Sequence, residues 1–217
     1  MMSVYAGYLP LITAILGYGI LAYSFLTKKL VWRKRGLASI AIFCFATYGL
    51  CTTLAMHTPE NTQFWAGGML FLSIAFFAMV FLTIQFTRDI RESDALFLMI
   101  FFISTVAVVL APSSATEEHG VHLAKFSPGL LSIFMVYVGI ACAEIFYNTY
   151  VTVKSAIKHE LHMYLTNMLY FGVAASVAVL SMCVDAVFVY AITPAIPLTP
   201  VFSSITVFAL GMFAFKS

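Results

Sequence analysis

Two carboxylates, Glu144 and Asp185, stand inside long apolar runs of this 217-residue chain. A carboxylate at hydrocarbon depth costs a few kcal/mol or more, so such a group faces the interior of a helix bundle and serves a purpose there. At 1.5 Å per residue, Glu144 falls about 20 Å below the outer end of its run and Asp185 about 9 Å below the outer end of the next. That depth difference, around a dozen ångströms, argues against a shared proton. Asp185 lies one turn from Ser181 and close to Tyr190, beneath the proline-spaced segment 193–200. It either floors a pocket open to the outside or hydrogen-bonds a neighbouring helix and locks the bundle. Glu144 shares a helical face with Tyr137, Ala141 and Asn148, the pattern of a protonated or hydrogen-bonded interior acid. The candidate ligand-binding set is Asp185, Ser181, Tyr190, Glu144, Tyr137 and, at the outer boundary, Trp65.

Other chemistries find no footing. His57, His119 and His122 fall between runs on one side of the serpentine, and His159 and His162 on the other, so no histidine sits at the depth a haem ligand needs. His119 and His122 beside Glu117 and Glu118 read as a solvated loop. His159 and His162 are three residues apart, whereas a helical zinc pair needs an interval of four. Cys44 and Cys51 are seven residues apart on one face, about 10 Å along a helix and too far to bridge. With Cys142 and Cys183 they read as free thiols in apolar surroundings. No glycine-rich phosphate loop is present, the last run holds no mid-membrane lysine for a retinal Schiff base, and only Pro10 approaches the broken-helix pattern of transporters. The chain is therefore expected to be neither an enzyme nor a metal, cofactor or nucleic-acid binder.

The elements that position these residues follow from composition. The chain is 62% hydrophobic and 9% charged, with mean hydropathy +1.00. An ordinary soluble domain is about half apolar and about a quarter charged. Too little polar surface exists to face water, which excludes a soluble enzyme. Crossing the hydrocarbon core takes about 20 helical residues. The apolar runs cover 4–26, 37–56, 65–86, 95–111, 130–150, 166–191 and 201–215, with the fourth and seventh short. They predict one domain over 1–217, an all-α, polytopic seven-helix transmembrane bundle. No positive leader precedes the first run, which is expected to be a retained helix.

Basic residues set the orientation. Lys28, Lys29, Arg33, Lys34 and Arg35 follow the first run, Arg88 and Arg91 the third, Lys154 and Lys158 the fifth, and Lys216 the seventh; the alternate loops hold only Lys125. By the positive-inside rule the amino terminus lies outside and the carboxyl end in the cytoplasm. Trp65 and Tyr5 then mark the outer boundary, and Trp32 and Tyr150 the inner one. Phe71, Phe76, Phe77 and Phe81 read as packing or lipid-facing surface, and Gly172 with Ser176 as a point of close helix approach.

Several of these features occur together in a known arrangement. Phe64-Trp65 opens a third helix ending at Phe86-Thr87. The inner stretch Lys158-His159-Glu160-Leu161-His162-Met163-Tyr164-Leu165 leads into the helix that carries Asp185, and Pro197-Leu198-Thr199-Pro200 precedes the last helix. The pattern resembles the amino-terminal seven-helix region of prokaryotic sensor histidine kinases, although Lys-His-Glu stands where that family tends to have paired arginines. The resemblance implies a sensor module in the inner (plasma) membrane that binds a small or lipid-like ligand between helices. It also implies relay through the last helix and homodimerisation through a cytoplasmic output domain following Ser217, before which the chain reads as truncated. The alternative is a non-catalytic structural or cofactor-holding subunit of a larger membrane complex.

Overall fold

Uninterrupted apolar sequence leaves the backbone no partners but its own, and the chain accordingly forms long helices. The computed structural model describes residues 7–27, 32–58, 62–87, 92–118, 120–159, 162–191 and 198–216. The first residues of the 4–26 run, Tyr5, the basic residues 28, 29, 88 and 91, His119 and most of segment 193–200 lie outside these. Seven helices are described: α1 (Leu9–Leu26), α2 (Trp32–His57), α3 (Thr62–Thr87), α4 (Glu92–Leu110), α5 (Pro128–Lys158), α6 (His162–Ala191) and α7 (Thr199–Lys216). Each packs against its neighbours in sequence, and α7 returns to α1, so the helices close a ring. Additional contacts of α2 with α7 and of α3 with α5 fill its middle. Within the apolar spans 67% of α3 and 56% of α2 are buried, against 28% of α1, which makes α3 and α2 the inner helices.

Five helices (α1, α2, α3, α5 and α6) are long and apolar enough to cross a membrane; Asp94–Leu110 and Thr199–Phe215 are shorter apolar helices. Most helices begin or end a few residues beyond the runs that predict them. The exception is α5, expected over 130–150, which continues to Lys158. Its extension keeps a helical stripe, with Thr152 and Ala156 buried while Lys154, Ser155, Ile157 and Lys158 are exposed. Amphipathic periodicity therefore carries it past the point where mean hydropathy falls.

Between α4 and α5 the otherwise helical bundle carries a short hairpin. Strands β1 (Pro112–Glu118) and β2 (Val121–Phe126) pair antiparallel, with Glu118 opposite Val121 and Pro112 opposite Phe126. Gly120 closes the turn at φ 80°, a left-handed conformation that two-residue hairpin loops demand and glycine adopts without penalty. Val121 and Leu123 alternate inward and pack with Ala55, Met56 and Trp65 under the hairpin. The hairpin thus lies across the end of the bundle where α2 stops and α3 starts, contacting α2, α3 and α4.

Lipid tails match the apolar side chains of the bundle, so helices associate through close packing and polar contacts. A Cβ built on Gly49 falls 2.6 Å from the Pro10 carbonyl oxygen, and one on Gly17 falls 2.6 Å from the Ala46 Cβ, so both glycines let α1 and α2 touch backbone to backbone. Gly172 does not do this: a Cβ there meets nothing within 4 Å. Its neighbours Leu169, Val173 and Leu180 are exposed, which turns that face of α6 outward and overturns the expected close approach at Gly172. Phe76 is fully buried, while Phe77 stacks on Phe101 at 4.3 Å and Phe71 and Phe81 pack against the core.

Candidate functional site

The first four N–H groups of a helix have no partner within it, and at the start of α7 Thr199 is 1% exposed, so its N–H needs a partner from the protein. Pro200 has no N–H, and the Val201 N–H bonds the Leu198 carbonyl at 3.0 Å. The two remaining donors both reach Asp185 on α6. The Leu198 N–H donates to Oδ1 at 2.6 Å and the Thr199 N–H to Oδ2 at 2.8 Å. The carboxylate also places negative charge at the positive end of the α7 dipole. The same turn is held from two further sides. Thr13 on α1 donates to the Pro200 carbonyl, and the Thr199 hydroxyl contacts the Met182 sulfur at 3.4 Å. Asp185 is therefore a clamp joining α6 to the start of α7, and α1 braces the same point.

The other expected site residues are dispersed. Ser181 is buried, but its hydroxyl bonds back to the Ala178 carbonyl at 2.9 Å rather than to Asp185. Tyr190 lies in the last turn of α6, with its side chain outside the described residues. Tyr137 is fully buried near the middle of the bundle and donates to the Ser73 carbonyl at 3.1 Å; Ser73 in turn meets Thr105 at 2.7 Å, tying α3, α4 and α5 together. Glu144 is half-buried in the half of the bundle away from the hairpin, where Oε2 accepts from Asn148 Nδ2 at 3.3 Å. Asp185 and Glu144 thus serve different partners at different depths. Trp65 lies in the first turn of α3 and is only 5% exposed because the hairpin covers it, with Phe126 edge-on at 6.1 Å.

Sequence reasoning passed over two features. Under the hairpin, the Tyr8 ring lies 4.0 Å from that of His57, and His57 Nδ1 is 2.9 Å from the Thr53 carbonyl. A carbonyl only accepts, so Nδ1 carries a proton and Nε2 is left as the free ring nitrogen. His57 Nε2 and Trp65 Nε1 are both buried without a hydrogen-bond partner. In the opposite half, Thr83, Thr87, Asn148 and Thr152 join Glu144 in a polar cluster between α3 and α5. Its sequence signal was threonine at positions 83 and 87, one turn apart, opposite an asparagine on the buried face of α5.

The four cysteines are free, and among the described residues no three His, Cys, Asp or Glu side chains stand close enough together to hold a metal ion. Compared with known family models, with curated proteins and with solved structures, the chain matches none.

Proposed function

We propose that the chain is the transmembrane input module of a signal-transduction receptor of the histidine-kinase type, binding a small or apolar ligand between its helices and relaying the change through α7. In this reading all seven helices cross the inner (plasma) membrane. The hairpin end faces outside and the ends that carry Lys154 and Lys158 face the cytoplasm, in keeping with the ten-to-one partition of basic residues between the two sets of loops. The cytoplasmic partner, in the same polypeptide or another, is a dimeric output domain driven by α7.

One observation carries the proposal: two N–H groups at the N-terminus of α7 both donate to one carboxylate of another helix. A ligand can shift a two-state equilibrium only by its affinity difference between the states. A group that settles between α6 and α7 and competes for Asp185, or that favours its clamped form, has that difference built in. Packed helix interfaces switch between discrete arrangements, so a shift of α7 by an ångström or two is transmitted along its length. Tyr190, five residues beyond Asp185 on α6, is the proposed ligand contact above the clamp, with Ser181 one turn below it.

The test is a chimaera with a reporter histidine-kinase domain joined after α7. Asp185→Asn should change basal autophosphorylation several-fold at equal membrane level. Identical output from the two chimaeras, with and without the substitution, would remove the clamp from any relay.

A further inference from the structure

Helix α5 has 31 residues and extends about 46 Å, well beyond the roughly 30 Å of a hydrocarbon core. Counted from Pro128, Tyr147 and Tyr150 fall about 29 and 33 Å along the axis, and Lys154 and Lys158 about 39 and 45 Å. At 100° per residue, Tyr147, Val151, Lys154 and Lys158 share a strip about 60° wide, which Tyr150 flanks. All five are exposed, Tyr147 by 65% and Tyr150 by 63%, while Asn148, Thr152 and Ala156 are buried on the other side of the helix. Neither lysine has an ion-pair or hydrogen-bond partner among the described residues, and no acidic residue occurs between 147 and 158. Nearer the hairpin the same face lacks bulk: Ala143 is exposed, and a Cβ built on Gly139 meets nothing within 4 Å.

We propose that this strip seats one anionic phospholipid, with its phosphodiester between the Lys154 and Lys158 ammonium groups and an acyl chain along Ala143 and Gly139. Helical side chains lean toward the N-terminus of their helix, so both lysines reach back toward the two tyrosines and the membrane. Their four-residue interval brings the Cβ atoms within about 6 Å, close enough for both stems to converge on one phosphate. The stems themselves can lie along Val151 while the charged heads stay in the polar layer. Exposed tyrosine rings one and two turns before Lys154 suit headgroup depth, and a free phosphate would have no use for them. Two cations with no acid beside them complement a net negative headgroup, whereas a choline headgroup would bring its own positive charge against them. The site rests on the chain crossing a membrane and not on the sensor reading, since α5 carries it and the α7 clamp is untouched.

The experiment is native mass spectrometry of the full chain in detergent micelles, titrated with dioleoylphosphatidylglycerol or dioleoylphosphatidylcholine. Phosphatidylglycerol should bind more tightly than phosphatidylcholine, and the difference should shrink as ammonium acetate rises, since salt screens exposed charges. Lys154→Gln and Lys158→Gln should each weaken phosphatidylglycerol about fivefold and leave phosphatidylcholine unchanged. Lys125→Gln, on β2 at the other end of the bundle, should alter neither lipid. Inorganic phosphate in excess should not displace the phosphatidylglycerol. Equal affinity for the two lipids, phosphatidylglycerol binding unchanged when both lysines are replaced, or displacement by inorganic phosphate would overturn the assignment. Both lysines are exposed, so the variants should melt with the unsubstituted chain; the comparison of lipids on the unsubstituted chain stands whatever the variants do.

Discussion

Replacing Asp185 by asparagine removes charge and one acceptor while keeping shape, which isolates what the carboxylate does for α7. The two N–H donors of Leu198 and Thr199 have Asp185 as their partner at 2.6 and 2.8 Å. Asparagine offers one oxygen, and its amide hydrogens face the second donor, so one N–H is stranded; Thr199, at 1% exposure, cannot turn to water. Losing a hydrogen bond to a charged group costs about 1.5–3 kcal/mol. Losing the charge at the helix N-terminus adds about 0.3–1 kcal/mol. The sum is about 2–4 kcal/mol. Side chain–side chain bonds between membrane helices average less, near 0.6 kcal/mol. Here the acceptor is ionised and the donors belong to a helix end with no alternative partner, so the larger figure applies. A loss of that size should lower Tm by several degrees in thermal unfolding of the purified chain. It should also speed amide exchange at residues 198 and 199, and Asp185→Ala, which strands both donors, should do more. Asp185→Asn within about 0.5 kcal/mol of the unsubstituted chain, the range of an ordinary surface substitution, with unchanged exchange at those two amides, would refute the clamp.

At Gly49 an added Cβ meets backbone rather than a movable side chain, 2.6 Å from the Pro10 oxygen, so Gly49→Ala should cost about 1–3 kcal/mol in thermal unfolding by forcing α1 from α2. The same substitution at Gly172, where a Cβ meets nothing within 4 Å, should leave Tm unchanged or slightly raised. Gly120→Ala puts a Cβ on a residue at φ 80° and should destabilise the hairpin by about 1–2 kcal/mol, read as faster amide exchange in Val121–Phe126 with no change in α7.

Composition alone made the helices legible. A chain with 62% hydrophobic residues in runs of about twenty must satisfy its backbone internally, and the helix does so with no knowledge of neighbours. Helical periodicity also picked out the buried face of α5, where Tyr137, Ala141 and Asn148 are all within 1% of full burial. The hairpin was hidden because β1 reads Pro-Ser-Ser-Ala-Thr-Glu-Glu, a loop by composition; two inward residues, Val121 and Leu123, and the glycine of the turn were the available signals. Gly172 misled because small residues at four-residue spacing say that a close approach is possible but not which way the face points.

The intramembrane acids show where sequence stops. Their presence within apolar runs, and a separation along the helices that argues against a shared proton, follow from hydropathy and a rise of about 1.5 Å per residue. What Asp185 does was settled only by the fold, because its partners are the backbone N–H groups of Leu198 and Thr199, and a backbone donor carries no side-chain signature. Likewise, which threonines meet in the polar cluster between α3 and α5 depends on the rotation of both helices about their axes, a quantity fixed by packing between elements and encoded in no one of them.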